Sequence, residues 1–281
     1  MTAVERAPLA GGVLQPRQLI VTLYGLYARD DDGRLSVAAL VRLLAGLGVE
    51  EPAVRSSISR LKRRGLLAPD RRDGTAGYVL TPAARQILVD GDARIFGRRR
   101  ATETDGWVLV VFSVPESERE KRHALRSQLA RLGFGTAAPG VWIAPGQLAD
   151  EAIDVLRRLG LDGYVQLFRG EHLAFGDLPA TVREWWDLDG LCELYAAFLE
   201  RHGPVRERWS RRRSPDPSAA FADYVRLVTD WRRLPYADPG LPLHLLPPDW
   251  NGVRAAELFA ELAQLLADLA RAHVRELIAG R

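Results

Sequence analysis

The stretch Glu51 to Gly65, EPAVRSSISRLKRRG, holds the residues whose types and spacing could do chemistry. Arginine can donate two hydrogen bonds to a guanine edge. Serine can bond bases or phosphates, and lysine neutralises phosphate. The spacing predicts a helix. Arg55, Ser59 and Lys62 share one face, Ser56, Arg60 and Arg63 share the next, and Val54, Ile58 and Leu61 form a narrow apolar stripe. Glu51 suits the positive end of a helix dipole, Pro52 a first helical position, and Gly65 a stop. Such a helix could lie in a DNA major groove, with Arg55, Ser56, Ser59 and Arg60 nearest the bases and Lys62 and Arg63 on phosphates. A solvated basic face is the bland alternative, and the neighbouring elements decide between the two.

Other chemistry is sparse. His123, His172, His202, His244 and His273 are scattered without metal-ligand spacing. Cys192 lies in an apolar helical pattern and reads as core. Asp187 with Asp189 reads as a solvated face or a cap. No phosphate-cradling glycine loop, dinucleotide fingerprint or nucleophile elbow occurs. The expectation is a non-enzyme with no catalytic residue, no metal and no cofactor.

The elements around the basic helix give it a setting. Leu19, Leu23 and Leu26 predict a helix from Pro16 to Ala28, and Asp30 to Gly33 a turn. Ser36 reads as the N-cap of a helix from Val37 to Leu47, with Leu40, Leu43, Leu44 and Leu47 inward. Helix, helix, short turn, helix is a helix-turn-helix order. Leu66–Ala68 and Tyr78–Leu80 then read as short strands around the polar loop Pro69 to Gly77. The hairpin makes the module a winged helix, with Arg71 and Arg72 placed to meet a phosphate backbone. Thr81 and Pro82 start a helix to about Phe96, with Ile87, Leu88 and Ile95 apolar, and residues 97–106 read as a linker.

Beyond Trp107 the pattern changes. WVLVVFSV reads as a buried strand to Val114. It is followed by a helix from Glu118 to Leu132, strands Phe134–Ala138 and Val141–Ala144, a helix Leu148–Leu159 and a strand Tyr164–Phe168. The order β-α-β-β-α-β fits a ferredoxin-like domain. Three helices follow: Thr181 to Arg201, Ala219 to Arg233 and Val253 to Ile278, the last with Leu258, Leu262, Leu265, Leu269 and Leu277. Two connections separate them, the basic Arg206–Pro217 and the proline-dense Leu234–Gly252. The expected fold class is multidomain α+β, with a winged helix-turn-helix over 14–97, a ferredoxin-like domain over 105–170 and a mainly helical domain over 176–281.

The 281 residues are 47% hydrophobic and 27% charged, an ordinary globular composition for two or three domains. The net charge of +3 hides an asymmetry. Residues 14–100 hold 16 Lys+Arg against 9 Asp+Glu, a net of +7, while the remainder is −4. A basic module in an otherwise acidic chain is the electrostatic footprint of nucleic-acid binding. One cysteine allows no internal disulfide, and neither a secretory leader nor a membrane span is evident, so the expectation is a cytoplasmic protein.

Four stretches together resemble the PaaX-type repressors of phenylacetate catabolism: VRSSISRLKRRG; WVLVVFSVPES leading to LARLGFGTAAPGVWIAP; WWDLDGLCELYAAF; and WRRLPYADPGLPLHLLPPDW. The resemblance implies a dimeric repressor that binds double-stranded operator DNA and is released by an aryl-CoA thioester such as phenylacetyl-CoA. Such an effector needs cations for its phosphates and apolar walls for its rings. The C-terminal tryptophans and arginines make Trp186, Trp209, Trp231, Arg232 and Arg233 the expected site, although singly each suits a core or solvated role. The middle domain also resembles the small CRISPR-associated endoribonucleases, which carry a metal-binding aspartate at the end of the first strand. Here that strand ends Phe112-Ser113-Val114-Pro115, without a carboxylate, so the nuclease reading is the weaker alternative.

Overall fold

Turn and cap chemistry sets the N-terminal elements. The structure, a computed structural model, describes residues 14–29, 32–97, 99–173 and 175–279. Helix α1 (Pro16–Leu23) starts on its proline and widens into a π-type turn over Tyr24–Ala28, where the sequence suggests one regular helix. Strand β1 (Arg34–Ser36) has no counterpart among the expected elements. Asp30 and Asp31 of the expected turn lie outside the described residues. Ser36 does cap α2 (Val37–Ala45), accepting from the Ala39 N–H at 3.1 Å. Helix α3 (Glu51–Arg63) follows as expected, and Gly65 leaves it at a φ of +69°.

The hairpin is longer and tighter than its sequence suggests. Strands β2 (Leu67–Arg72) and β3 (Thr75–Leu80) pair antiparallel down to Arg72 opposite Thr75. The expected nine-residue loop shrinks to Asp73-Gly74. Both residues have positive φ (49° and 76°), the geometry in which a two-residue turn matches the twist of the strands. β1 pairs on the other side of β3, so the sheet order is β1-β3-β2. Thr81 then caps α4 (Pro82–Phe96), as expected. Ile87, one of the apolar residues of α4, is half exposed.

The middle elements are β4 (Trp107–Phe112), α5 (Arg119–Arg131), β5 (Gly135–Ala138), β6 (Val141–Pro145), α6 (Ala149–Arg158) and β7 (Val165–Gly170), in the expected order. The sheet is antiparallel throughout, in the order β5-β6-β4-β7. Val108 and Val110 face a core with Leu125 and Leu129 of α5 and Leu156 of α6. Trp107 and Ile143 face the opposite way, into a cluster with Val182, Trp186 and Leu241. Cover on both faces explains why the β4 sequence reads as an unbroken apolar run.

The remaining helices depart more from expectation. Trp186 adopts an extended backbone and splits the expected helix into α7 (Leu178–Trp185) and α8 (Leu188–Ser210). α8 runs through Pro204 and into the expected basic connection as far as Ser210. Buried Phe198, His202 and Trp209 hold it on both sides of the proline. Next come α9 (Pro217–Trp231), the short α10 (Leu234–Ala237) and α11 (Gly252–Ala279). α11 buries Ala255, Phe259, Leu262, Leu266, Ala270 and Val274. Leu258 and Leu262 are buried as expected, but Leu265, expected in the seam, is 45% exposed and burial passes one residue on, to Leu266.

The chain gathers into two compact units. One comprises residues 98–196 and 233–252. The other joins the basic module, 10–97, to 197–232 and 253–281. In the second unit α1 packs on both α3 and α9. Thr22 and Thr229 share a buried hydrogen bond at 2.8 Å, and Trp231 stacks on Phe259 with ring centroids 4.5 Å apart. A buried carboxylate, Asp230, meets Arg201 at 2.9 Å and His202 at 3.0 Å.

In the first unit the proline-dense segment is fastened by Asp238, which is 2% exposed. Its carboxylate accepts from Tyr195 Oη at 2.8 Å, Arg100 Nη2 at 3.3 Å and the Gly240 N–H at 2.6 Å. Removing a buried, paired carboxylate strands its partners. Asp238→Ala should therefore cost about 2–4 kcal/mol in urea unfolding. A loss under about 0.5 kcal/mol, as for an ordinary surface substitution, would show that the segment holds without it.

Candidate nucleic-acid interface

Helix α3 presents its polar residues because its apolar stripe is narrow. Val54, Ile58 and Leu61 are buried, and Ser57, small enough for close approach, is buried beside them. Arg55, Ser56, Ser59, Arg60, Lys62 and Arg63 are all exposed, so the six residues singled out from the sequence share the open side of one helix. Arg64, which sequence reasoning does not single out, is exposed at the same end. Glu51 faces Arg55 and accepts its Nε at 2.7 Å. One of the expected base-reading guanidiniums is thus already in an exposed ion pair, a contact of small net worth that a stronger acceptor can displace. Arg60, Lys62 and Arg63 lie in the last turn, where the helix dipole favours cations.

The hairpin beside α3 is held by a residue that sequence reasoning missed. Arg34 on β1 is only 8% exposed. Its Nε donates to Asp70 at 2.6 Å and its Nη2 to the Thr75 carbonyl at 2.8 Å, tying β1 to both arms of the hairpin. Gly77 makes room for it, since a Cβ there would lie 2.8 Å from the Leu35 carbonyl and 3.1 Å from the Arg34 guanidinium. A glycine inside a strand was the one available signal. Tyr24 adds a tie from α1, donating its phenol to the Tyr78 carbonyl at 2.9 Å. Burial raises that phenol's pKa and keeps it a donor. Lys62 lies over the Tyr78 ring at 5.7 Å, linking the end of α3 to β3. Arg71 and Arg72 sit exposed beside the Asp73-Gly74 turn. Arg71 Nε donates to the Gly74 carbonyl at 3.2 Å, and Arg72 lies 3.6 Å from Asp32.

The five residues expected to hold an effector divide between the two units. Trp186 is buried in the first unit, its indole N–H on the Gly133 carbonyl at 2.9 Å, and Arg233 belongs to the same unit. Trp209, Trp231 and Arg232 belong to the other. There Trp209 donates to Asp223 at 2.7 Å, Trp231 to the Ile95 carbonyl at 2.9 Å and Arg232 to the Gln18 carbonyl at 3.3 Å. The three tryptophans are buried and their N–H groups are bonded. In the linker, Arg98 lies outside the described residues. Arg99 pairs with Asp105 and Arg100 with Asp238. Asp105, accepting from Thr102 and Arg99, has its pKa lowered to about 2. Cys192, expected as core, is partly exposed. Asp187 accepts from the Gly190 N–H at 2.9 Å, the cap that its sequence position suggests.

Comparison with known proteins agrees along the length of the chain. Residues 15–84 match the model for PaaX-like protein, 100–182 the PaaX protein central Cas2-like domain, and 186–276 the PaaX-like protein C-terminal domain. The transcriptional repressor PaaX of Escherichia coli (strain K12) is 27% identical over 278 residues, covering 98% of this chain and 86% of that protein. The uncharacterized protein Rv0674 from Mycobacterium tuberculosis has a related fold. Its TM-score is 0.59 at 22% identity, and the match covers 91% of this chain and 97% of that one. With three successive models spanning the sequence in order, the chain belongs to the PaaX family.

Proposed function

We propose that this protein is a DNA-binding transcriptional repressor. The basic module is a winged helix-turn-helix with α3 as its recognition helix, and the four-stranded middle domain is a ferredoxin-like scaffold. The observation that carries the reading is the open face of α3, where Arg55, Ser56, Ser59 and Arg60 stand clear of a buried seam beside a hairpin whose tip carries Arg71 and Arg72. In this reading those four residues meet base edges in the major groove, while Lys62, Arg63, Arg71 and Arg72 meet phosphates. The three-module division at 14–97, 105–170 and 176–281 is supported by the three family-model matches. The E. coli relative, named as a repressor, supports the regulatory role.

The finer reading is a homodimer on a near-palindromic operator of an aromatic, phenylacetate-type catabolic operon, released by an aryl-CoA thioester. Two copies would set two recognition helices one helical turn apart. In this reading the protein has no catalytic step and no cofactor. Among the described residues no group of three or more His, Cys, Asp or Glu side chains could hold a metal ion, and no helix is long and apolar enough to cross a membrane.

Binding to the DNA upstream of its own and flanking genes, measured over a range of salt, tests the reading. Arg60→Ala should cost roughly 1–3 kcal/mol on the preferred sequence and relax specificity at one base pair. Arg71→Ala should weaken binding to all sequences alike and lower the salt slope by about one unit. If both substitutions left affinity and slope unchanged, α3 and the hairpin would not be the DNA-facing surface.

A second expectation concerns Arg34, which touches no DNA in this reading. Arg34→Met strands Asp70 and loosens the hairpin. It should weaken operator binding without changing base preference, and Asp70→Asn should do the same to a smaller degree. A shift in base preference would instead place Arg34 among the contacting residues.

A further inference from the structure

A cavity of about 440 Å³ lies in the unit that contains the four-stranded sheet. The expected effector residues do not contribute to it, and it lies outside the DNA-facing module. Its lining includes Phe112 at the end of β4, Thr136 on β5, Pro139 in the β5–β6 turn, Trp142 on β6, and Arg122 and Arg126 on α5. The volume falls within the range of small-molecule sites.

The lining combines two kinds of recognition. Arg122 and Arg126 are four residues apart, so both side chains leave α5 on the same side and bring positive charge to the cavity. Arg122 is held in place by the Val114 carbonyl at 2.7 Å and by Glu116 at 2.8 Å, whose carboxylate is 80% exposed. Arg126 is exposed. The Arg126 guanidinium offers the forked donors that suit carboxylate and phosphate, and Arg122, already bonded to Glu116 and Val114, adds positive charge beside it. Phe112, Trp142 and Pro139 supply flat and apolar surface. The Phe112 N–H, bonded to the Gly140 carbonyl at 3.0 Å, fixes the strand end against the turn.

We propose that this cavity binds a small anion that carries a flat ring, the anion on Arg122 and Arg126 and the ring against Phe112 and Pro139. This rests on the ligand-responsive reading above and moves its binding site from the C-terminal tryptophans to the middle domain. The volume suits one ring with its anion, so a larger conjugate would enter by one end. A nucleotide end and an aryl carboxylate share this chemistry.

The full chain is titrated by calorimetry with adenosine 3′,5′-bisphosphate, with phenylacetate and with inorganic phosphate. Operator affinity without ligand is measured on the same preparation. At least one ring-bearing probe should bind more tightly than phosphate, and whichever binds identifies the source. Arg126→Glu should raise its Kd by about tenfold or more, and Arg126→Ala by less. Thermal unfolding of each ligand-free variant shows that the loss is not one of folding. Failure of both ring-bearing probes, equal binding of phosphate, or an unchanged Kd in both variants would overturn the site. A chain that ignores the operator would overturn the repressor reading instead, whatever the titrations show.

Discussion

Helix α1 is buried on two sides, and the basic module depends on that burial. Leu19, Ile20, Leu23 and Tyr24 are all under 4% exposed, and the helix packs on α3 to one side and α9 to the other. Without α1 the narrow seam of α3 would face water, and three apolar residues in a thirteen-residue helix could not hold it. The exposed polar face of α3 is thus tolerated only because its back is anchored. The same anchoring joins the basic module to the C-terminal helices through Thr22 and Thr229 and through Trp231 against Ile95 and Phe259. Packed side chains therefore run without a break from α9 through α1 to α3.

Buried charge marks the places where segments distant in sequence are fastened. Arg34 with Asp70, Asp230 with Arg201 and His202, and Asp238 with Arg100 and Tyr195 each join separate elements. Taking a charge out of water is costly, so each is tolerated only with partners in good geometry. The return is positional. Arg34 sets the hairpin against β1, and Asp238 holds a segment whose prolines prevent regular backbone pairing.

The apolar periodicity of α3 is legible in the sequence, and so are Ser36 and Thr81 as caps, because caps and helical stripes are local properties of a few residues. The six exposed residues of α3 are legible for the same reason. Legibility ends where distant contacts override local signals. Pro204 looks like a helix end, yet Phe198, His202 and Trp209 pack on both sides of it. Trp186 looks helical, yet its burial against Trp107 and its bond to the Gly133 carbonyl pull the backbone into an extended form. Leu265 and Leu269 look like a continuation of the Leu258–Leu262 seam, and the neighbours of α11 select Leu266, Ala270 and Val274 instead.

Side-chain bonding is hidden from the sequence in the same way. Counting tryptophans and arginines cannot show which indole N–H groups are already bonded, and here Trp186, Trp209 and Trp231 are all engaged in the core. By itself the sequence determined the order of helices and strands from α2 to β7, the basic asymmetry of residues 14–100 and the outward side of α3. Backbone propensity, capping and amphipathic period act over a few residues, and net charge is additive. Only the tertiary structure decided that β1 joins the hairpin, that the C-terminal helices share a unit with the basic module, and that Arg122 and Arg126 open onto a cavity with Phe112 and Trp142. Those outcomes depend on pairing and burial between residues far apart in the chain, which no local pattern encodes.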